Sequence, residues 1–419
     1  MKLKPIVASM AFLAIGTANA AYHSAPMQVA ASNAKVAKLQ AELDRNQNPY
    51  YAEADWFNRI TLSGLVQAYG VIADQDQFSL NGPVRFPTDG SRFMSDIYLS
   101  RANVYVDADV NKWTSTHIAL NSNGIFGGEA TDSYGALYDE SAFRKFGIVD
   151  EANIVMGNFD ESPIYARVGR FYARYGWYQR NVIPATLTQM LTQTQVNGVE
   201  IGFADVSGFN GSAAAFRGLR QHITGKTTVN NFTAQLGYGM DQGVWGGAMS
   251  VDFIYNMVDV NAISQTVIDN HGGDLYHNNT APGLSVDLKA HYTQFDFVGS
   301  YTTALAKFGS SDLPYETATR RAFPSAFLVG LGYSFPMAGY DSHLGVNYQM
   351  SFQTSGVPGQ ANGIVTGMPE YRVQGDYNVN VWKNTDLQFT VHWDRDTDTP
   401  QGTGRNVVAG LIGVSAKFA

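Results

Sequence analysis

From Arg59 onward the chain alternates apolar and polar positions with a period of two. That is the repeat of a strand, whose successive side chains point to opposite faces. Residues 371–382 set Tyr371, Val373, Tyr377, Val379 and Val381 against Arg372, Gln374, Asp376, Asn378 and Asn380. Residues 343–353 oppose Leu344, Val346, Tyr348, Met350 and Phe352 to His343, Asn347, Gln349, Ser351 and Gln353. Residues 284–293 and 387–394 repeat the pattern. Sixteen such segments follow one another: 59–70, 96–110, 113–122, 143–156, 163–175, 196–205, 211–220, 229–240, 244–260, 283–293, 295–307, 323–336, 341–353, 369–382, 385–398 and 404–418. The fourth and seventh are the weakest of the set. Many run to about ten to fourteen residues, whereas strands of soluble sandwiches average about five or six. Tilted membrane strands need about nine to eleven. Charges and amides deep in the polar faces suit a wet lumen.

The connections alternate in length. Residues 71–95, 123–142, 176–195, 261–282, 308–322 and 354–368 are long, while Asn111-Lys112, 157–162, 206–210, Gln294, 337–340 and Lys383-Asn384 are short. Outer-membrane barrels pair short periplasmic turns with longer extracellular loops. The pattern predicts an all-β fold, a transmembrane antiparallel β-barrel of about sixteen strands, spanning residues 59–419. Trp56, Trp113, Trp245 and Trp382 fall at expected periplasmic strand ends, where amphipathic rings favour the membrane interface. Pro163, Pro324 and Pro369 start segments and Pro336 ends one, as the missing backbone donor requires.

Before the barrel the pattern differs. Lys2 and Lys4 precede an apolar run from Ile6 to Ile15, and Ala18-Asn19-Ala20 is an A-x-A cleavage site. Residues 1–20 read as a signal peptide. Residues 21–58 read as a periplasmic segment with one short amphipathic, coiled-coil-like helix at 34–46, where Val36, Leu39 and Leu43 share a face.

Composition narrows the chemistry. Charged residues make up 15% and aromatics 13% of the chain, against about 25% charged in soluble domains. There is no cysteine, which excludes disulfide scaffolds, thiolate metal sites and cysteine nucleophiles. The net charge is −8, or −10 once Lys2 and Lys4 are removed. That argues against nucleic-acid partners. No G-x-S-x-G, H-E-x-x-H or phosphate-binding glycine loop occurs, so neither an enzyme nor a cofactor is expected. His271 and His277 beside Asp269 and Asp274, and the run Asp394, Asp396, Asp398, carry too little of a metal motif.

The basic residues are more informative. The stretch YARVGRFYARYGWYQR, 165–180, interleaves Arg167, Arg170, Arg174 and Arg180 with six aromatics. Arg101, Asp107, Lys289 and Arg372 stand on polar strand faces. Arg101, Arg167, Arg170, Arg174, Arg372, Asp107 and Lys289 are therefore the candidate pore-lining residues. Charged rings in a low-dielectric channel select solutes by charge. One reading is an anion-admitting eyelet. The other is that these charges pair with Asp107, Asp252, Asp287 or Asp376. Strict alternation cannot place both Arg167 and Arg170 in the lumen, so a bulge or a girdle position is expected. The Thr/Gln-rich loop 181–195 can fold inward as a constriction or stay outside.

Three features together resemble a known family: the helix carrying Val36, Leu39 and Leu43, a first strand ITLSGLVQAYG at 60–70 with YARVGRFYARYG at 165–176, and the closing GLIGVSAKF at 410–418. The chain resembles the LbtU family of siderophore porins over essentially its whole mature length. The resemblance implies uptake of a ferric siderophore through a sixteen-stranded barrel without a plug domain, unlike the 22-stranded transporters with a plugged lumen. Residues 21–58 are too short for a plug. A polycarboxylate chelate would suit Arg101, Arg167, Arg170 and Arg372. The alternatives are a general or weakly anion-selective diffusion porin and, behind these, an outer-membrane enzyme or adhesin barrel. Expected partners are the ferric siderophore or another small solute, outer-membrane lipid, and sister copies in a homotrimer.

Overall fold

The computed structural model describes residues 59–75, 93–121, 149–177, 185–205, 207–218, 221–222, 229–271, 276–315, 317–354, 368–395 and 406–418. The signal peptide and the 34–46 helix lie outside the described residues. The period-two segments form sixteen barrel strands. The first eight are β1 Ile60–Gln75, β2 Phe93–Asn111, β3 Thr114–Asn121, β4 Val149–Met156, β5 Ile164–Tyr172, β6 Gln195–Ala204, β7 Phe209–Arg217 and β8 Asn231–Asp241. The others are β9 Trp245–Ile254, β10 Gly283–Tyr292, β11 Phe295–Ala304, β12 Ser325–Met337, β13 Tyr340–Phe352, β14 Tyr371–Trp382, β15 Thr385–Arg395 and β16 Asn406–Phe418. Each pairs antiparallel with its sequence neighbours, and β16 returns to β1, so the sheet closes. Closure satisfies every strand edge within one chain, which a bilayer demands.

Alternation sorts the side chains. On β13, Leu344, Val346, Tyr348 and Phe352 are exposed on the outer face, while Gln349 and Ser351 are buried within. On β14, Val373 and Trp382 face out and Arg372 and Gln374 face in. The outward residues are apolar because they meet lipid. The inward ones are polar because they meet a lumen. Trp113, Trp245 and Trp382 are exposed at the short-turn ends, as expected. No helix among the described residues is long and apolar enough to cross a membrane.

The seam between β1 and β16 depends on one missing side chain. Gly64 pairs with Phe418, and a Cβ at Gly64 would collide with the Phe418 ring. Glycine here lets the last aromatic lie across the first strand.

Two expectations on strand length need correcting. The ninth segment, expected over 244–260, stops at Ile254, because Asn256 caps a 3-10 turn at Met257–Asp259 and the helix Asn261–Asn270 follows. The fifth, expected over 163–175, stops at Tyr172, where the chain turns into the lumen.

The long connections do not all stand clear of the barrel. Three of them supply an apolar cluster with residues such as Tyr175, Leu187 and Leu191, Met257 and Ile263, and Phe308 and Leu313, all fully buried. This core sits inside a ring whose wall is otherwise polar on that face. It fills the long-loop end on the side of β5 to β13.

Candidate functional site

The segment joining β5 to β6 leaves the wall where Ala173 N–H donates to the Thr194 carbonyl at 2.9 Å. Its described part, 185–194, is buried throughout. A single helical turn, α1, forms at Leu187–Met190, capped by Thr186, whose hydroxyl accepts from Gln189 N–H at 3.2 Å. Leu187 N–H then donates to Gln349 Oε1 of β13 at 2.7 Å. The Ala185 carbonyl accepts from Arg372 Nη1 of β14 at 2.9 Å. In a ring of sixteen strands, β13 and β14 stand eight places from β5 and β6. The segment therefore crosses the bore and docks on the opposite wall. Residues 185–194 of the loop read from sequence as able to fold inward do so.

On its return the strap meets the connection between β9 and β10. Asn261 N–H donates to the Gln193 carbonyl at 2.8 Å, and Gln195 N–H donates to Asn261 Oδ1 at 3.1 Å. Its outgoing end is held by Asp252 Oδ2, which accepts from Gly176 N–H at 3.1 Å. Among the described residues, these contacts occupy one side of the lumen. None of the contacts just named involves β1 to β4, β15 or β16.

Three of the predicted arginines stand on this framework in ion pairs. Arg167 donates to Glu200 at 2.9 Å, and Arg174 approaches the same carboxylate at 3.8 Å. Arg167 also lies 4.0 Å over the Phe171 ring. Arg372 holds Asp394 with two hydrogen bonds, 2.7 and 2.8 Å. This fork suits the planar guanidinium. The partners expected from sequence were Asp107, Asp252, Asp287 or Asp376. The observed partners are Glu200 and Asp394, because each stands directly opposite its arginine in the ladder. Cross-strand neighbours are the nearest groups available.

Arg170 also reaches inward, donating to Gln195 Oε1 at 2.7 Å. The expected bulge is not there: β5 keeps its register with both neighbours. The irregularity is Gly169 at φ +133, where a side chain would strike the β4 backbone. Beyond it both Phe171 and Tyr172 are buried, so the alternation is broken by a glycine conformation closed to other residues. Lys289 places Nζ 4.5 Å over the Trp177 ring of the strap. Asp107 bonds His117 at 2.6 Å. Arg101 pairs in the ladder with Gln67, and its side chain lies outside the described set, as does Arg180.

Several participants escaped the sequence reading: Glu200, Gln349 and Asn261. Glu200 is fully buried, and its only advance signal was a charge on a polar strand face. His271 and His277 make separate contacts, to Asp312 and to Asn256 and Asn279. Among the described residues no group of three or more His, Asp or Glu side chains could hold a metal ion. A cavity of about 160 Å³ lies beside β5 to β7, lined by Arg170, Gln195, Phe216, Arg217 and Asp259 among others.

No protein-family model matches the chain. A UPF0422 protein of Coxiella burnetii is 24% identical over 379 residues, which cover 89% of this chain and 72% of that protein. A UPF0422 protein of Legionella pneumophila (strain Paris) is 25% identical over 80% of this chain and 60% of its own length. Among solved structures, the anion-selective porin of Comamonas acidovorans superposes with a TM-score of 0.53 at 10% identity, over 86% of this chain and 99% of that one. The outer membrane channel DcaP of Acinetobacter baumannii gives 0.52 at 12% identity, over 86% and 97%. OprB of Pseudomonas putida gives 0.52 at 10%, over 87% and 96%. What they share with this chain is the fold. The molecule has the closed sixteen-stranded β-barrel fold of these porins.

Proposed function

We propose that the barrel is a passive channel for small hydrophilic solutes, with the strap from β5 as its constriction. The observation that carries this reading is the crossing itself. A polar-lined, closed bore is bridged from wall to wall by a segment with hydrogen bonds at both ends. Such a bridge narrows a passage and leaves the lumen beside it lined by amides and hydroxyls. Nothing in this arrangement calls for a nucleophile or a general base, and the fold is that of channels rather than of enzymes.

The resemblance to siderophore porins adds a finer reading, uptake of a ferric chelate. It asks for cations that a polycarboxylate can reach. Arg167, Arg174 and Arg372 already hold carboxylates of the wall. The cavity beside Arg170 is about 160 Å³, below the roughly 300–1,000 Å³ of sites that enclose drug-sized ligands. A chelate would therefore pass through the bore beside the strap rather than dwell in that cavity. This favours weak selection over tight binding, and a general diffusion porin is the simpler form of the proposal.

Planar-bilayer recording of the purified protein, with and without a ferric polycarboxylate siderophore, separates the two. Stepwise conductance indifferent to the chelate supports the general channel. Saturable block at low chelate concentration supports the siderophore pore. A protein that inserts but never conducts would remove both.

A further inference from the structure

The charges that line the bore are not distributed evenly with respect to solvent. The arginines are withdrawn: the side chains of Arg372, Arg167 and Arg174 are 3%, 7% and 11% exposed. Two carboxylates near the short-turn end are open, Asp107 45% and Asp296 42% exposed, while Asp241 and Asp386 at the same end are 13% and 18% exposed. Asp107 and Asp296 stand on inward faces, since their strand neighbours Val104, Val110 and Phe295 point outward.

These aspartates belong to a set of three aspartate–histidine pairs near the same end. Asp107 of β2 bonds His117 of β3 at 2.6 Å, and the two are ladder partners. Asp296 of β11 bonds His343 of β13 at 2.9 Å, across β12. Asp241 of β8 lies 3.8 Å from His291 of β10, across β9. The last two pairs each reach over a glycine. A Cβ at Gly332 would strike both Asp296 and His343, and one at Gly246 would strike His291. The three pairs are spread around the ring, on strands 2 and 3, 8 and 10, and 11 and 13.

We infer that these three pairs, with Asp376, make the bore prefer cations at neutral pH. The inference rests on the channel reading above. Each pair brings one carboxylate to the lumen. Asp376 adds another, and the hydrogen bonds found for it are from neutral groups, Gln374, Thr390 and Asn347. Gln374 Oε1 beside it is buried without a hydrogen-bond partner, so its dipole has the same sign. Among the described residues the cations facing this region are few. Lys417 is bonded to Asp386 at 3.2 Å, Lys289 sits over Trp177, and Arg59 is at the rim, donating to the Val110 carbonyl at 3.3 Å. A low-dielectric wall carrying net negative charge concentrates cations in the passage.

The test is the reversal potential of the full chain in planar bilayers under a KCl gradient at neutral pH. A potential on the cation side is expected. In the variant carrying Asp107→Asn and Asp296→Asn the potential should move toward zero, with conductance steps retained. Conductance steps with a zero or anion-side potential in the parent protein would overturn the inference alone. Absence of any steps would overturn the channel reading and the inference with it.

Discussion

Arg372 joins the wall to the strap, and removing its guanidinium should loosen the constriction. The side chain donates twice to Asp394 and once to the Ala185 carbonyl. A hydrogen bond to a charged group contributes about 1.5–3 kcal/mol. Losing the bond to Ala185 should therefore raise the undocked share of the strap by roughly ten- to a hundredfold, at about 1.4 kcal/mol per factor of ten. Arg372→Met alone also strands a buried Asp394, which costs roughly 3–5 kcal/mol in barrel stability. Combining it with Asp394→Leu removes that second effect, since an apolar pair of similar volume is often neutral. The expected result is a double variant with near-parental stability in urea and a parental shift between heated and unheated gel mobility. In planar bilayers it should show larger or noisier single-channel currents. Gln349→Leu, which removes only the neutral acceptor of Leu187 N–H, should give a weaker form, at about 1 kcal/mol. Unaltered conductance and noise in the double variant would refute the strap as the constriction.

Glu200→Gln leaves Arg167 and Arg174 without their shared carboxylate. It should lower unfolding stability in detergent by about 3–5 kcal/mol, read from the urea midpoint. Gly64→Val places a branched side chain where the Phe418 ring lies, and the folded, heat-shiftable fraction should fall sharply. Pairing it with Phe418→Ala should recover part of that fraction. Val346→Arg, on the outer face midway along β13, should cost about 2–4 kcal/mol near the bilayer midplane. Folding equilibria into lipid vesicles would measure it, and a cost near zero would argue that this face does not meet lipid.

The fold was legible because a barrel writes its geometry twice, once in the period of two and again in the alternation of long and short connections. All sixteen segments correspond to strands, including the weak fourth and seventh. What was not legible was the interior. The Arg372–Asp394 pairing lay within reach, because the tight turn at Lys383-Asn384 nearly sets the register. Only the irregularity between Asn380 and Trp382 obscures it. Arg167 and Glu200 were beyond reach, since a long connection between their strands leaves the register free. The inward course of residues 185–194 had no local signature either. It depends on Gln349 and Arg372 offering bonds from strands far along the chain. The state of the lumen arginines stays open between two readings for a related reason. Counting arginines on polar faces says nothing about which of them a wall carboxylate has already taken.

The seam between β1 and β16 has a consequence for how the molecule is made. Gly64 and Phe418 meet from opposite ends of the described chain. No shorter portion of the barrel can close, so until β16 arrives every partial sheet carries two bare edges. Such edges recruit foreign strands. Contacts this distant in sequence also form slowly, because loop entropy must be overcome before they are gained. The nascent protein must therefore be kept apart from its neighbours through a long open stage. A defect at the Gly64–Phe418 contact would then appear first as misassembled, aggregated chain, before any change in the currents of the barrels that do close.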